Sequence, residues 1–338
     1  SPRPARRFRP LALLRRLRQG ILKATEMQRA FRDDRLAYTQ WHYSNPGLHS
    51  RNALEAKILR QAHVLEKGMS LSHPREKFGV EKALELLDFV DEFQKAGHSI
   101  PESTALCNSI GVLKAYLDFH RERGFVPEEV ARRFEAVAGY VPPDAGPFGA
   151  RLVTRSDLEA AAHGEFPEFF RSRHSVRQFD PRPVDEADFR RAVELAMHAP
   201  SACNRQSCRV YFYRDPQVNA RLAKRIAGNT GFEADVPNYL VVTSDISAFH
   251  EPFERNQLYV DGGIFALALT QALHYYGIGS CILQNGEYTQ RNREFRSICE
   301  NIPENEKIVL FIAIGYYKDA FSYASSHRKQ PEEIFRIR

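Results

Sequence analysis

Hydrophobic spacing changes style once along this chain. In the first half, apolar residues recur every three or four positions, the period of a helix with one buried face. This predicts helices over residues 52–64, 80–93, 101–123 and 127–138. From Phe166 onward, amphipathic stretches alternate with short apolar runs. Residues 185–198 place Phe189, Ala192, Val193 and Ala196 on one side of a helix, with acids in its first turn where the dipole favours them. The β-branched and aromatic runs at 210–213 and 239–243 predict strands. Residues 308–314, IVLFIAI, predict the central strand of a sheet. Residues 259–276, YVDGGIFALALTQALHYY, form a helix that is apolar nearly all round. Such a helix must be buried on several sides, inside a domain or between two subunits.

The breaks between these patterns divide the chain. Residues 1–10 hold three prolines and four arginines and are expected to be poorly ordered. A basic amphipathic helix follows over 11–23, with Leu11, Leu14, Leu17, Ile21 and Leu22 near one face. It can lie on an anionic membrane surface, dock a partner, or pack on its own domain. The polar stretch 66–79, EKGMSLSHPREKFG, predicts an ordered surface loop. The stretch 141–149, VPPDAGPFG, is the best interdomain boundary, being dense in Pro and Gly. The expected division is a basic tail and helix over 1–24, a helical domain over 25–150, and an α+β domain over 165–338. The helical domain shows no catalytic constellation, and its His63, His73 and His98 read as ordinary surface or core residues.

Composition narrows the class. The 338 residues, 43% hydrophobic and 27% charged, suit a globular protein large enough for two domains. No apolar run reaches the length of a membrane span, and no secretory signal opens the chain. The net charge of +6 sits mainly in a tail whose first 23 residues carry eight Arg or Lys and no acid. That distribution, without interleaved aromatics, argues against nucleic-acid binding. Five cysteines at no zinc-like spacing imply reduced thiols and a cytoplasmic location. There is no GxGxxG dinucleotide fingerprint and no histidine–carboxylate cluster at metal spacing.

Residues 170–180, FRSRHSVRQFD, carry the first candidate chemistry. In an extended backbone Arg173, Ser175 and Arg177 share one face, about 7 Å apart at each step of two residues. Two guanidinium groups and a hydroxyl so arranged would grip a flexible anion with several oxygens; the plain alternative is a solvated basic edge strand. Residues 199–206, APSACNRQ, follow a helix and gather Ser201, Asn204 and Gln206 in one tight loop. An amide there can donate and accept at once, which suits a uracil-like ring edge, although ordinary turn chemistry uses the same residues.

Taken together, RSRHSVRQF followed about twenty residues later by APSACNRQ resembles the FMN-dependent nitroreductase family. The buried helix leading into residues 277–286, GIGSCILQNG, which looks like the family's flavin-facing loop, the strand ending IAIGY, and Ser326-His-Arg-Lys329 agree in order. The resemblance covers residues 165–338 and implies a nitroreductase-like three-layer α+β fold with a central mixed sheet flanked by helices, here preceded by a mostly helical N-terminal domain. It further implies that Arg173 and Arg328 pair with the FMN phosphate, that Ser175 bonds ribityl or phosphate oxygens, and that Arg177 lies at the pyrimidine edge. A cation at that edge stabilises the negative charge of reduced flavin. Pro200, Ser201, Ala202 and Asn204 match a loop that reaches the flavin of the other subunit. Gln284, Asn285 and Gly286 match a loop whose backbone bonds flavin N5, and Asn229 is a further candidate for a ring contact or a simple turn residue.

The chain departs from the family by having Ser207-Cys208 where many members have Pro-Trp, which leaves substrate class open. Cys203, Cys208 and Cys281 fall near the inferred site, as redox thiols or as small fillers. The expected protein is a homodimeric oxidoreductase with FMN at the subunit interface, NADH or NADPH as transient donor, and a small-molecule acceptor. Cover for the substrate would come from the helical half or the partner subunit. Two other readings remain: a flavin-dependent dehydrogenase or tailoring enzyme of a biosynthetic pathway, and a redox-responsive binding module.

Overall fold

The computed structural model describes residues 10–41, 49–143, 147–249, 252–285 and 289–338. The expectation for the first nine residues of the tail lies outside these. Helix α1 runs Pro10–Trp41 without interruption. The break expected after residue 24 is absent, because nothing between Ala24 and Trp41 is Gly or Pro and the composition favours helix throughout. Ile21, Leu22, Phe31 and Leu36 of α1 are exposed. A bidentate pair between Asp34 and Arg255, at 2.7 and 2.9 Å, ties the helix to the rest of the chain.

A bundle follows: α2 Arg51–Met69, α3 Val80–Lys95, α4 Thr104–Arg121 and α5 Glu128–Phe134. Leu54, Ile58, Ala62, Leu65 and Met69 of α2 are buried at three- and four-residue spacing, and pack with Leu86, Val90 and Phe93 of α3 and Ile110, Leu113 and Tyr116 of α4. Ser103 caps α4 by accepting from Leu106 N, and its hydroxyl also donates to Glu55 at 2.7 Å. Helix α2 reaches Met69, so the expected loop over 66–79 begins only at Ser70. Leu65 and Met69 extend the buried stripe through that region. Gly68 lets α2 approach Phe78 closely, since a Cβ there would meet the Phe78 ring at 2.2 Å.

The C-terminal domain opens with β1 Ala150–Thr154, α6 Arg155–Ala162, α7 Phe166–Ser172, α8 Glu186–Ala196, β2 Cys208–Tyr213 and α9 Pro216–Ala223. It continues with β3 Asn238–Asp245, α10 Gln257–Tyr275, β4 Ile278–Gln284, α11 Thr289–Ile298, β5 Glu306–Tyr316, β6 Ala320–Ala324 and α12 Pro331–Ile334. Strand β1 pairs antiparallel with β6, so residues 150–154 belong to this domain and its expected start at 165 moves back to β1. Among the described residues the main sheet has four strands in the order β2-β3-β5-β4, each pairing antiparallel. The parallel part of the mixed sheet is one bridge, Ser175 to Ser280.

Both faces of the sheet are covered, which makes three layers. Leu240 and Val242 of β3 and Ile312 and Ile314 of β5 face α8 and α10 through Phe189, Ala192, Leu269 and Leu273. Their neighbours Tyr239, Val241, Phe311 and Ala313 face the other way, onto Leu222, Phe295 and Phe321. Period-two alternation with apolar residues at both phases explains why 308–314 reads as an unbroken apolar run.

Two features of this core position the segment beyond α7. Gly315 lets Phe179 lie against β5, since a Cβ on Gly315 would fall 2.8 Å from Phe179 Cβ and Pro237 Cγ. His274, 1% exposed on α10, lies 2.7 Å from Ser172 Oγ and 2.7 Å from Tyr317 Oη. Ser172 donates its own proton to Phe169 O at 2.9 Å, so the imidazole donates to Ser172 from Nε2 and accepts from Tyr317 at Nδ1. Burial, with the Arg173 charge, pushes His274 from 6.5 down to about 4.

Two outcomes follow. Gly315→Ala should destabilise the protein by about 1–3 kcal/mol through overpacking, read from the denaturant midpoint. Because the unfolded chain takes up protons near pH 6.5 that folded His274 refuses until about 4, stability should fall as pH drops through that window. Urea midpoints at pH 7 and 5 should therefore differ less in His274→Gln than in the parent protein.

Candidate functional site

The segment after α7 is pinned at two points. Val176 N donates to Ser280 O at 2.9 Å, and Phe179 bridges to Tyr317. Val176 and Phe179 are buried in the core, at 1% and 2% exposure. Between these pins the backbone is extended but carries isolated bridges instead of a full ladder. Arg173, Ser175 and Arg177 all lie within electrostatic or hydrogen-bonding range of the buried Cys281 thiol on β4. Burial raises that thiol's pKa against the pull of the two arginines. Cys281 is therefore a filler within a basic site, and the exposed Cys203 and half-buried Cys208 belong elsewhere.

The solvated-edge reading of this segment is excluded by burial. Arg177 is 7% exposed, and its Nε has no partner. Its remaining contacts are long, 3.4 Å to Ser175 O and 3.4 Å to His63 Nε2. Burial lowers the pKa of Arg173, and the nearby Arg328 charge lowers it further while Tyr317 opposes. No carboxylate among the described residues is paired with either Arg173 or Arg177. Arg328 is exposed, with its guanidinium bonded back to Ser326 O. Buried cations without counter-ions are costly. A site built this way is stabilised by an anion with several oxygens.

The helical region reaches into this site, as the expected cover from the helical half requires, through residues that the sequence reading did not name. Lys67 Nζ donates to Gly228 O at 2.8 Å. Glu66 accepts from Ser326 N at 3.2 Å and from its hydroxyl at 3.4 Å. Glu55, 2% exposed, binds Lys329. Gln178 donates to Ser70 O at 2.6 Å, and Ser72 to Asp235 at 3.3 Å. The available signal was the spacing of His63, Glu66 and Lys67, three and four residues apart on a helix that was expected to end earlier.

The other candidates fall into two places. Gln284 ends β4, and Asn285 follows it, its amide nitrogen bonded to Ile308 O at 2.9 Å and its Oδ1 buried without a partner. Gly286 lies outside the described residues. The expected loop over 277–286 is thus strand β4 up to Gln284, as the apolar run Ile278, Cys281, Ile282 and Leu283 demands. Asn229 is 3% exposed, and its amide nitrogen is held by Ala223 O at 2.6 Å and Tyr239 Oη at 3.2 Å. Its side chain anchors its own loop, as the turn reading requires.

Pro200, Ser201, Ala202 and Asn204 sit at the opposite end of α10. Ala202 N donates to the Asp261 carboxylate at 3.2 Å, and Gln206 N donates to Ser201 Oγ at 3.0 Å. Arg205 pairs with Glu254 at 2.6 Å. Cys203, Asn204 and Gln206 have φ of 52°, 55° and 48°, a costly left-handed run that these contacts hold in place. Pro200 and Ser201 line a 340 Å³ cavity with Val193, Met197 and Phe265. Asp261 marks this end of α10 and His274 the Arg173 end; thirteen residues of helix separate them by about 20 Å. Within one chain the two groups of candidates do not meet.

Among the described residues no cluster of His, Cys, Asp or Glu could hold a metal, and no helix is long and apolar enough to cross a membrane.

Comparisons with known proteins bear on the C-terminal half. The Nitroreductase family model matches residues 170–244. An Archaeoglobus fulgidus protein, named provisionally as an NADH dehydrogenase/NAD(P)H nitroreductase, is 26% identical over 170 residues, 49% of this chain and 93% of its own length. The CLA biosynthesis enone reductase of Lactiplantibacillus plantarum is 30% identical over 105 residues, 30% of this chain and 48% of its own. A solved structure from Desulfovibrio desulfuricans, named provisionally as a nitroreductase and in complex with FMN, is 20% identical with a TM-score of 0.43, covering 52% of this chain and 98% of its own. Residues 170–244 of this chain thus carry the Nitroreductase family match, and the N-terminal helical region lies outside it.

Proposed function

We propose that this protein is an FMN-dependent oxidoreductase in which NADH or NADPH is a transient donor and a small organic molecule the acceptor, the two using one pocket in turn. The observation that carries this reading is the partly buried Arg173 beside the buried Arg177, neither paired with a carboxylate among the described residues, with an orphaned guanidinium Nε on Arg177. These residues fit a phosphorylated flavin: Arg173, Arg328 and Ser175 toward its phosphate and ribityl oxygens, Arg177 toward its pyrimidine edge. Gln284 and Asn285, at the end of β4, would offer backbone groups to the ring. When bound, the flavin supplies the two-electron chemistry. The protein contributes binding, charge stabilisation and exclusion of water. The docked α2–α3 region, through Lys67, Ser70 and Ser72, supplies cover that the C-terminal domain lacks.

The reading includes a homodimer with FMN at the interface. Helix α10 leaves Val260, Ile264 and Leu267 exposed by 52%, 37% and 47%, a stripe at four- and three-residue spacing. A second copy laid on this stripe would bury it, and would bring the strained loop at Pro200 to Asn204 toward the partner's arginines. That arrangement accounts for the separation of the two candidate groups by the length of α10.

The first test is spectral. The purified protein should carry or take up FMN, and NADH or NADPH should bleach it without air; a protein that takes up no FMN overturns the reading. Arg177→Ala should weaken FMN binding about 10- to 100-fold, by loss of a charge-assisted contact. Leu267→Glu should shift the protein toward monomer by sedimentation and weaken FMN binding with it. A monomer that holds FMN as tightly as the parent protein would remove the interface from the cofactor site.

A further inference from the structure

Helix α2 ends beside the basic site, and while Leu65 and Met69 of its last turns pack into the bundle, Glu66 and Lys67 reach out of it to Ser326 and Gly228. Lys67 is only partly exposed, lies 5.4 Å from the Phe232 ring centroid, and gives one proton to Gly228 O. Its ammonium has two further donors. It is a charge neighbour of Arg177, whose effect Glu233 and the buried Cys281 thiol oppose. Burial, and after it the Arg177 charge, hold the ammonium below its usual pKa.

A desolvated lysine next to a buried arginine is repulsive on its own account. Yet the fold enforces the approach by several independent contacts. Gln178 binds Ser70 O at 2.6 Å, Ser72 binds Asp235, and Leu71 packs against Gly231. His63, one turn before Lys67, sits 3.4 Å from the Arg177 guanidinium without neutralising it. The Arg177 Nε, on a side chain more than nine-tenths buried, still lacks a partner. Two cations and an unused buried donor thus face the same place from two domains.

We propose that Lys67 is a flavin-binding residue supplied by the N-terminal helical region, pairing with Arg177 as a second cation at the pyrimidine edge of bound FMN. This rests on the FMN reading above. It gives the helical region a definite role: the cofactor site is shared between the bundle and the C-terminal domain. A second cation at that edge favours the reduced, negatively charged flavin over the oxidised one, and so raises its potential.

The experiment uses the full chain stripped of flavin. FMN is titrated by fluorescence quenching, and the midpoint potential of bound flavin is measured with a reference dye, in the parent protein, Lys67→Met and Lys67→Gln. The Gln variant keeps a donor for Gly228 O, so it preserves the test if the Met variant fails to fold. We expect about tenfold weaker FMN binding, with the reduced form losing about tenfold more than the oxidised. That difference is about 30 mV lower potential for a two-electron couple. Unchanged affinity and potential in either folded variant would overturn the proposal. So would equal losses for both flavin states with lower stability of the flavin-free protein, which is the signature of lost packing. A parent protein that takes up no FMN overturns the cofactor reading itself, and is distinguished by that from failure of Lys67 alone.

Discussion

The buried positive charge of Arg177 is the constraint on which much of this structure depends. A guanidinium at 7% exposure, with no acid paired to it among the described residues, is stable only if the fold leaves it no alternative. The backbone pins at Val176 and Phe179 remove that freedom, since moving either would open the core between β4 and β5. Gly315 and Gly279 make the pins possible, because a Cβ at either would lie within about 3 Å of Phe179, Val176 or Tyr317 side-chain atoms. Sheet packing, in this sense, fixes where a costly charge must stay. The neutral His274, held between Ser172 and Tyr317, does the same for the backbone that leads into Arg173.

Helix α10 connects this charge to everything on the far side of the domain. Its buried face carries both the His274 contact and the Asp261 carboxylate that holds Ala202, so one rigid element positions the arginines and the strained loop together. Its exposed stripe of Val260, Ile264 and Leu267 is the back of the same helix that positions both groups of residues. A displacement at Ile264 or Leu267 would be carried along one continuous helix from Gln257 to Tyr275.

Elements with strong periodicity were legible in the sequence, and for a physical reason. Residues 308–314 are apolar at both phases because β5 is covered on two faces, and residues 185–198 are amphipathic because α8 covers one. What could not be read was where pattern and geometry disagree. The stretch 277–286 reads as a loop through its family resemblance, but it is strand β4 up to Gln284, with Gly279 there to admit Tyr317 and Val176. Residues 150–154 were hidden because β1 is short and its partner β6 lies far along the chain. Asn229 has the same residue type as a ring contact, and only its bonds to Ala223 O and Tyr239 Oη assign it to its own loop.

The largest omission was the end of α2, and its cause is instructive. Glu66 and Lys67 sit in a polar run rich in charge and bounded by glycines, and such composition is what a solvated loop and a buried polar interface have in common. Composition reports the polarity of a segment, whereas the role depends on what that polarity faces. Glu66 faces the Ser326 backbone and Lys67 faces Gly228, so the start of the polar run is a seam between the helical bundle and the sheet region. Gly68 was the one residue in the run whose presence argued against solvent, since a helix gives up stability to hold a glycine unless something must come close. Here that something is the Phe78 ring, which locks the turn of α2 that presents Lys67. A seam of this kind cannot be exchanged for an apolar one without removing the charges that meet Arg177, which ties the chemistry of the interface to that of the site it covers.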